Sequence, residues 1–276
     1  MKKSYQTKAQ VQALFLDYDG TISPLNVPRS ESKVSSEKME ILYRVSRHIP
    51  VAVITTKDLP FVTKRTPFAH AWSGIGGLEM KIRDTVTKAS CLKKVTPYLT
   101  AAVKYAKDLS HNCLIIEEKR DSQGSTVAFS VDWRQAKNIC EAEEAALKIT
   151  SYCKTLPVET IQYEGQPFFD VFPCPVDKGK ALSTLKRKLG LRHGILYMGD
   201  SSLDNPAFDL ADIALGVLHE ETTKLNNLTC DYFVKFDDVT VFLKRLLKNG
   251  FYFSSELSII LNRTEAVQHI QRRNFT

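Results

Sequence analysis

The sequence predicts an α/β protein in which a Rossmann-like parallel sheet is interrupted by an inserted α+β unit. Short apolar runs at residues 14–16, 51–54 and 195–198 each stop abruptly at polar residues, as buried parallel strands do. Helical periodicity separates the first two runs, and a strand, helix, strand order favours a parallel sheet. From about Thr87 the chain changes to paired strands with hairpin turns. The predicted divisions are a first core segment at 1–86, an inserted domain at 87–173 and a second core segment at 174–276.

The composition is typical of a soluble globular protein, with 276 residues, 43% of them hydrophobic and 25% charged. No apolar run reaches the roughly 18 residues that a membrane helix needs, and the N-terminal lysines are not followed by an export signal. We therefore expect a cytoplasmic protein without a membrane partner. The net charge of +7 favours an anionic ligand, but the basic residues form no single stripe, so no nucleic-acid partner is predicted. A phosphorylated small molecule accounts for this charge, and so do solvated helix faces.

The six cysteines are scattered along the chain, without a Cys-x-x-Cys pair or a histidine at ligand spacing. This pattern indicates neither a zinc site nor a disulfide framework. We expect all six to be reduced core residues.

The first strand ends in the motif Asp17-Tyr18-Asp19-Gly20-Thr21. Two carboxylates two residues apart, beside a glycine that lets the backbone approach closely, suit a hard cation such as Mg²⁺ and a phosphate group. A carboxylate is also a competent covalent nucleophile. Taken alone, the same residues also fit a turn capped by aspartates.

The second strand brings more polar residues to the same edge. A loop at 23–36 leads into a helix predicted at 36–48, which Pro50 ends. The strand at 51–54 then runs into Thr55 and Lys57. Because the carboxyl ends of parallel strands share one edge, these residues are expected near the first motif.

The inserted unit has an αββαββ pattern, with hairpin turns predicted at 121–124 and 164–165. Its predicted elements are helices at 92–109 and 135–152 and strands at 113–118, 126–133, 158–163 and 168–172.

After this unit the parallel pattern resumes. Asp177 is predicted to cap a helix that Gly190 ends, so Lys178 lies in the first turn, where backbone N–H groups favour an anion. A lysine there opposes the helix dipole and therefore needs a functional reason. The strand at 195–198 ends in Gly199-Asp200-Ser201-Ser202-Leu203-Asp204. Further predicted elements are strands at 213–217 and 231–234 and a mainly helical C-terminal stretch.

Together these groups supply the parts of phosphoryl transfer through an aspartyl phosphate. Asp17 is predicted to attack phosphorus, while Asp19 protonates the departing alcohol and later deprotonates the attacking water. Thr55 and Lys178 would hold the transferred phosphoryl group. The predicted Mg²⁺ ligands are Asp17, the Asp19 carbonyl and Asp200, and the predicted supporting residues are Asp204, Gly20, Thr21 and Ser201.

The four stretches, in this order, resemble the haloacid dehalogenase (HAD) superfamily of phosphohydrolases. The matching motifs are Asp17-Tyr18-Asp19-Gly20-Thr21, then Thr55, then Lys178, then Gly199 to Asp204. The resemblance implies a Rossmann-like HAD core with a cap domain inserted between the second and third motifs. An αββαββ cap is the type found in sugar phosphatases of that superfamily.

Within the superfamily the chain is most similar to trehalose-6-phosphate phosphatases. Ile116-Glu117-Glu118-Lys119 and Asp132-Trp133-Arg134 are similar to that family's Glu-x-Lys and His-Tyr-Arg segments, and Phe169-Asp170-Val171-Phe172-Pro173 to its Glu-Ile-Arg-Pro segment. The resemblance implies that Glu118, Lys119 and Arg134 contact sugar hydroxyls, with Lys57 as a further substrate-binding residue. A solvated strand face is the alternative for these charges.

Three departures leave the sugar open. That family commonly has Ser-Gly-Arg where this chain has Thr55-Thr56-Lys57, His-Gly at Gly76-Gly77, and Asp-Asp at Asp200-Ser201. The last form is similar to mannosyl-3-phosphoglycerate and sucrose-6-phosphate phosphatases. Lysine in place of arginine also exchanges a bidentate fork for a point charge.

We predict a Mg²⁺-dependent phosphatase that acts on a small phosphorylated sugar, with trehalose 6-phosphate as the first candidate. The rival substrates are mannosyl- or glucosyl-3-phosphoglycerate and sucrose 6-phosphate. The motifs are also compatible with a phosphomannomutase and with a sugar-phosphate sensor without turnover. A nucleotide-sugar glycosyltransferase would account for the paired aspartates but leaves Thr55 and Lys178 without a role.

Overall fold

The computed structural model describes residues 9–110, 113–163, 165–219, 227–254 and 259–266. Its helices are α1 (Ser36–Ser46), α2 (Leu59–Arg65), α3 (Cys91–Ser110), α4 (Ile139–Cys153), α5 (Lys178–Lys188), α6 (Asn205–Phe208) and α7 (Val239–Lys248). Its strands are β1 (Ala9–Gln10), β2 (Ala13–Leu16), β3 (Val51–Ile54), β4 (Ala71–Gly74), β5 (Glu79–Ile82), β6 (Thr85–Lys88), β7 (Ile115–Arg120), β8 (Thr126–Asp132), β9 (Glu159–Gln162), β10 (Phe168–Phe172), β11 (Ile195–Gly199), β12 (Ile213–Leu218), β13 (Tyr232–Lys235), β14 (Tyr252–Phe253) and β15 (Leu261–Asn262). Within these ranges no helix has the length and apolar character required to cross a bilayer.

The central sheet has nine strands in the order β15-β13-β12-β11-β2-β3-β4-β5-β6. The six strands from β13 to β4 are parallel, and antiparallel strands extend both edges. The chain moves outward from β2 in one direction and outward from β11 in the other, so the order reverses between these two neighbours. Ligands of open α/β sheets bind at such a switch point, beyond the carboxyl ends of the strands. The predicted α/β class with a parallel sheet is confirmed.

Helices cover both faces of this sheet. Leu14 and Leu16 of β2 face a cluster with the apolar sides of α1, α2 and α7. Their neighbours Ala13 and Phe15 face the opposite cluster, which includes α5 and α6. Because successive side chains of a strand point to opposite faces, a strand buried on both sides is apolar throughout. This is why β2 appears in the sequence as an unbroken apolar run.

The inserted unit forms a second sheet, in the order β7-β8-β10-β9, and all its strand pairs are antiparallel. Helices α3 and α4 pack on one face of it through a separate apolar cluster. We call this unit, from Cys91 to Phe172, the cap. Its element order is the predicted αββαββ. The first predicted division, after residue 86, falls inside β6, which belongs to the central sheet. The domain limits themselves stay a prediction.

Some elements differ from the sequence-based expectation. Helix α4 begins at Ile139 because Asn138 caps it, four residues later than predicted. The short elements α2, β4 and β6 had no counterpart in the prediction, and β14 and β15 lie in the C-terminal stretch that was expected to be helical. The predicted turn residue Glu164 and the C-terminal residues from 267 lie outside the described residues.

The cysteines correct one expectation. Cys91 and Cys174 form a disulfide although 83 residues separate them in the sequence. Cys91 opens the first cap helix and Cys174 follows the last cap strand, so the pair joins the two segments through which the chain enters and leaves the cap. The prediction of six reduced core cysteines is wrong for this pair and for Cys140, which is exposed. Sequence spacing does not indicate this pair, because the fold alone brings the two segments together.

Candidate active site

A cavity of about 630 Å³ lies between the carboxyl edge of the central sheet and the cap. This volume is in the range of small-molecule sites. The sheet edge contributes the predicted site residues Asp17, Asp19, Lys57, Lys178, Asp200 and Ser201, and the cap contributes Lys119 and Arg134. Residues far apart in the sequence are therefore brought together at the switch point.

Asp17 directly follows β2 and forms a buried ion pair with Lys178. Lys178 Nζ lies 2.9 Å from Asp17 Oδ2, and the Tyr18 N–H donates to Asp17 Oδ1 at 2.7 Å. Burial raises the pKa of Asp17 to about 7 against the lowering effect of Lys178, and the Asp204 charge adds to the rise. Burial lowers the pKa of Lys178, but the charges of Asp17 and Asp204 outweigh it, so its pKa lies above the usual range. The ammonium group is thus a fixed positive charge beside the Asp17 carboxylate.

The buried Asp204 carboxylate links the residues of the fourth motif through hydrogen bonds. Its Oδ1 accepts from Lys178 Nζ at 2.7 Å and from the Tyr197 hydroxyl at 2.6 Å. Its Oδ2 accepts from the N–H groups of Asp200 and Ser201 and from the Ser201 hydroxyl, at 3.0 to 3.1 Å. A side chain at Gly199 would overlap this carboxylate, so glycine is required there. Asp204 therefore fixes the Lys178 ammonium group in place, and its supporting role in catalysis stays a prediction.

Asp200 follows β11 and lies against the first motif. Gly20 has a φ of +72°, and a Cβ at this position would overlap the Asp200 carboxylate. Burial raises the pKa of Asp200 well above its usual value, and the charges of Asp17 and Asp204 raise it further. Carboxylate oxygens of Asp17, Asp200 and Asp204 all lie within 4.8 Å of one another.

This cluster fits a divalent cation. It gathers three carboxylates around one ammonium group, and hard oxygen donors are the ligands that Mg²⁺ prefers. The two oxygens of Asp204 accept five hydrogen bonds between them, whereas each Asp17 oxygen has one partner, so Asp17 and Asp200 are the more available carboxylates. The Asp19 carbonyl stays a predicted ligand.

Asp19 points into the cavity with a different environment. The Ser32 hydroxyl donates to Asp19 Oδ1 at 2.9 Å, and Lys57 Nζ lies 3.7 Å from Oδ2. The Asp19 side chain is 29% exposed, which suits a group that exchanges protons with substrate and water. Ser32 was not predicted as a site residue, because it lies in the loop before α1 and carries no recognisable motif.

Three predicted residues of the first and second motifs do not line the cavity. Thr55 is buried, and its hydroxyl accepts from the Lys57 N–H at 3.1 Å. Thr21 is also buried, and its hydroxyl has no partner in the part of the chain that the structure describes. The Gly20 carbonyl lies 2.6 Å from His219 Nε2. Their predicted roles, including phosphoryl binding by Thr55, stay predictions.

The cap wall of the cavity is built from charged side chains that pair with one another. Lys119 is buried and donates to Asp170 Oδ1 at 2.7 Å, and the Tyr163 hydroxyl donates to Oδ2 at 2.7 Å. Ser130 also donates to Asp170. Burial raises the pKa of Asp170, but Lys119 and the hydroxyl donors outweigh it, so this pKa lies below its usual range.

The alternation of side chains along β7 concerns one predicted cap residue, Glu118. On β7, Glu117 and Lys119 face the cavity, whereas Glu118 faces the other way and pairs with Lys107 of α3 and with Arg120. Glu118 is therefore not among the residues that line the cavity, whereas Glu117 shares the cavity face with Lys119, since residues two apart lie on one face of a strand. The Glu-x-Lys spacing already indicated Glu117 as the residue on the same face as Lys119, because it matches Glu117 and Lys119.

Arg134 is oriented by two neighbours at the rim of the cavity. Its Nη2 lies 2.6 Å from Asp132 Oδ2, and its Nη1 donates to Asn26 Oδ1 at 2.9 Å. The guanidinium carbon lies 5.0 Å from the centre of the Phe168 ring, which stacks on Tyr163. Polar groups beside aromatic faces are suited to a polar ligand with apolar patches.

Known proteins extend this description. The chain matches the family described as sucrose-6F-phosphate phosphohydrolase over residues 78–230. The chain belongs to this family. It is also 26% identical over 224 residues to a probable trehalose-phosphate phosphatase D of Arabidopsis thaliana, covering 73% of this chain and 57% of that one. The chain thus spans a little over half the length of the first curated relatives that it matches.

Solved structures share the fold. A trehalose-6-phosphate phosphatase related protein has a TM-score of 0.70 at 16% identity, covering 86% of this chain and 98% of that one. A haloacid dehalogenase-like hydrolase from Bacteroides thetaiotaomicron has a TM-score of 0.60 at 14% identity, covering 86% and 100%. The predicted HAD fold and the resemblance to trehalose-6-phosphate phosphatases are confirmed, and the family match agrees with them.

Proposed function

We propose that this protein is a Mg²⁺-dependent phosphatase that releases phosphate from a sugar phosphate in the cytoplasm, with trehalose 6-phosphate as the first candidate. The observation that carries the proposal is the position of Asp17, Lys178 and Asp200 at the core end of a cavity whose other wall is the polar face of the cap. A phosphate at the core end would place its sugar against the cap.

In the proposed reaction an Asp17 carboxylate oxygen attacks phosphorus and the bond from phosphorus to the sugar oxygen breaks. Asp19 gives its proton to that oxygen and then takes a proton from water, which attacks the aspartyl phosphate and releases inorganic phosphate. Mg²⁺ bound by Asp17, the Asp19 carbonyl and Asp200 would offset the negative charge that builds on the phosphoryl oxygens. Lys178 adds a permanent positive charge at the same place, because its pKa is raised.

The cap residues are proposed to recognise the sugar. Glu117, Lys119 and Arg134 line the cavity and offer acceptors and donors at fixed positions. Each is paired with an opposite charge, so hydroxyl groups would meet oriented hydrogen-bond partners and no unpaired charge. A site built for hydroxyl groups rejects ligands that lack them, because its buried polar groups would then stay unpaired.

Sucrose 6-phosphate is the second candidate. The family match and the Gly199-Asp200-Ser201 form of the fourth motif favour it, whereas the names of curated relatives such as the Arabidopsis thaliana protein favour trehalose 6-phosphate.

A substrate panel tests the proposal. The full chain is assayed for phosphate release from trehalose 6-phosphate, sucrose 6-phosphate, mannosyl- and glucosyl-3-phosphoglycerate and mannose 6-phosphate, with Mg²⁺ and with a chelator. We expect Mg²⁺-dependent release from one disaccharide phosphate. An isomerised sugar phosphate without free phosphate would instead establish a mutase, and tight binding without turnover would establish a sensor.

A further inference from the structure

The loop before α1 carries an arginine that joins the core to the cap at the wall of the cavity. Arg29 Nη1 donates to Glu117 Oε1 of β7 at 2.7 Å, and its Nη2 pairs with Asp58, which follows β3 and Lys57. We propose that Arg29 is a positioning residue that fixes the Glu117 carboxylate for sugar recognition. This inference rests on the proposed function, and neither the motifs nor the family resemblance points to Arg29.

The core side of this bridge is rigid. Asp58 is buried and caps α2, accepting from the Phe61 N–H at 2.9 Å. The Arg29 guanidinium also lies over the Phe61 ring, 4.2 Å from its centre. A planar guanidinium held by a carboxylate and an aromatic face keeps one orientation. The remaining donor therefore presents a defined position to the cap.

The cap side of the bridge reaches the reacting groups. Glu117 Oε1 also lies 3.5 Å from Lys57 Nζ, and Lys57 Nζ lies 3.7 Å from Asp19 Oδ2. Charges thus alternate from Arg29 through Glu117 and Lys57 to Asp19. If Arg29 is lost, Glu117 keeps the attraction of Lys57 and Lys119 but loses the guanidinium group that fixes its direction. The loss of Arg29 therefore misplaces the Glu117 carboxylate, which is the proposed hydrogen-bond acceptor for the sugar. It leaves the nucleophile Asp17 in place.

Arg29 is not simply one more charge that links the two layers. Lys88 of β6 also joins the core to the cap, with Nζ 2.7 Å from Asp121 Oδ2, but neither residue lines the cavity. Lys88→Gln therefore breaks a core–cap ion pair without touching the Glu117 carboxylate, and it is the matched control.

The experiment measures kcat and KM of the full chain for the sugar phosphate found by the panel and for p-nitrophenyl phosphate, which has no sugar. For Arg29→Gln we expect kcat/KM for the sugar phosphate to fall about tenfold, and kcat/KM for p-nitrophenyl phosphate to stay within about twofold. Arg29→Lys should recover only part of the loss, because an ammonium group does not bond both carboxylates in the same fork. Lys88→Gln should match the wild type on both substrates.

A double-mutant cycle completes the test. Arg29→Gln combined with Glu117→Gln should be no worse than Glu117→Gln alone, since both remove the same interaction. Additive losses, equal losses on both substrates, or an Arg29→Gln enzyme as active as the wild type would overturn the inference while the proposed function stands. A wild type that releases phosphate from no sugar phosphate would overturn the proposed function, and the inference with it.

Discussion

The two walls of the cavity handle charge in opposite ways. At the core wall, Asp17 and Asp200 both have raised pKa values, because burial and neighbouring carboxylates disfavour their ionised forms. At the cap wall, Glu117 and Asp170 have lowered pKa values, because the adjacent cations, Lys57 and Lys119 foremost, outweigh burial. The core wall therefore has a deficit of positive charge, whereas the cap wall is neutralised within the protein.

This difference separates the two proposed tasks. A cluster of carboxylates with too little positive charge nearby is suited to bind a divalent ion. The bound ion in turn attracts phosphate. A wall of paired charges has no such excess and offers directed hydrogen bonds to a neutral sugar. Substitutions at the two walls should therefore change different quantities.

Loss of the core nucleophile has the largest expected effect. Asp17→Asn should lower kcat at least about 10³-fold, because an amide does not form the acyl phosphate. The fold should persist, since the substitution removes a charge whose burial is unfavourable. Phosphate release assays and urea unfolding measure the two effects. Turnover close to that of the wild type would refute the proposed mechanism.

The second prediction concerns metal removal and pH. The folded pKa of Asp17 is about 7 against an ordinary value of 3.8, so the metal-free folded state binds more protons than the unfolded state between these values. By linkage, the contribution of Asp17 to the free energy of unfolding in chelator should then fall by about 3 kcal/mol as the pH rises from 4 to 7. Saturating Mg²⁺ should abolish this fall, because the cation replaces the proton. Urea unfolding at several pH values measures it.

Asp200→Asn provides the control for that prediction. The amide removes a neighbouring negative charge, so the fall in chelator should become smaller and Mg²⁺ should no longer alter it. Identical pH profiles of the wild type with chelator and with Mg²⁺ would contradict a cation site at the core wall.

The third prediction tests strand parity at the cap wall. Glu117→Gln should lower kcat/KM for the sugar phosphate about tenfold, mainly through KM, because one charged hydrogen-bond acceptor is lost. Glu118→Gln should stay within about twofold of the wild type, since Glu118 pairs with exposed Lys107 on the helix side of β7. Steady-state kinetics of both variants measures the difference. A larger loss for Glu118→Gln would place the sugar elsewhere.

The same contrast explains how far the sequence could be interpreted. The core wall was predictable, because Asp17 and Asp200 directly follow buried apolar strands and parallel strands end at one edge. Lys178 was indicated by its unfavourable place at a helix start. Each of these signals is local, so no knowledge of the other elements was needed.

The cap wall depends on long-range arrangement, which the sequence does not encode locally. The predicted residue Glu118 is one position from Glu117, which lines the cavity, and on a strand one residue exchanges the two faces. Arg29 lies in a loop without periodicity, and its partners Asp58 and Glu117 are 29 and 88 residues away. The disulfide between Cys91 and Cys174 could not be predicted from the sequence either, because 83 residues separate the two cysteines.

The smallest expected effect is a change in the stability of the cap wall at acidic pH. The folded pKa of Asp170 is below its ordinary value of 3.8, so its stabilising contribution is present above that value and is lost as the pH falls through the folded pKa. Asp170→Asn should make the unfolding free energy fall less, or rise more, between pH 5 and pH 3 than it does in the wild type. The pH difference is the measured quantity, because unpaired Lys119 lowers stability at every pH. Glu144→Gln, at an exposed ion pair with Lys148 that solvent screens, should change this pH difference less than Asp170→Asn does. Equal pH differences in the wild type and Asp170→Asn would mean that the cap carboxylates are not held ionised by their cations.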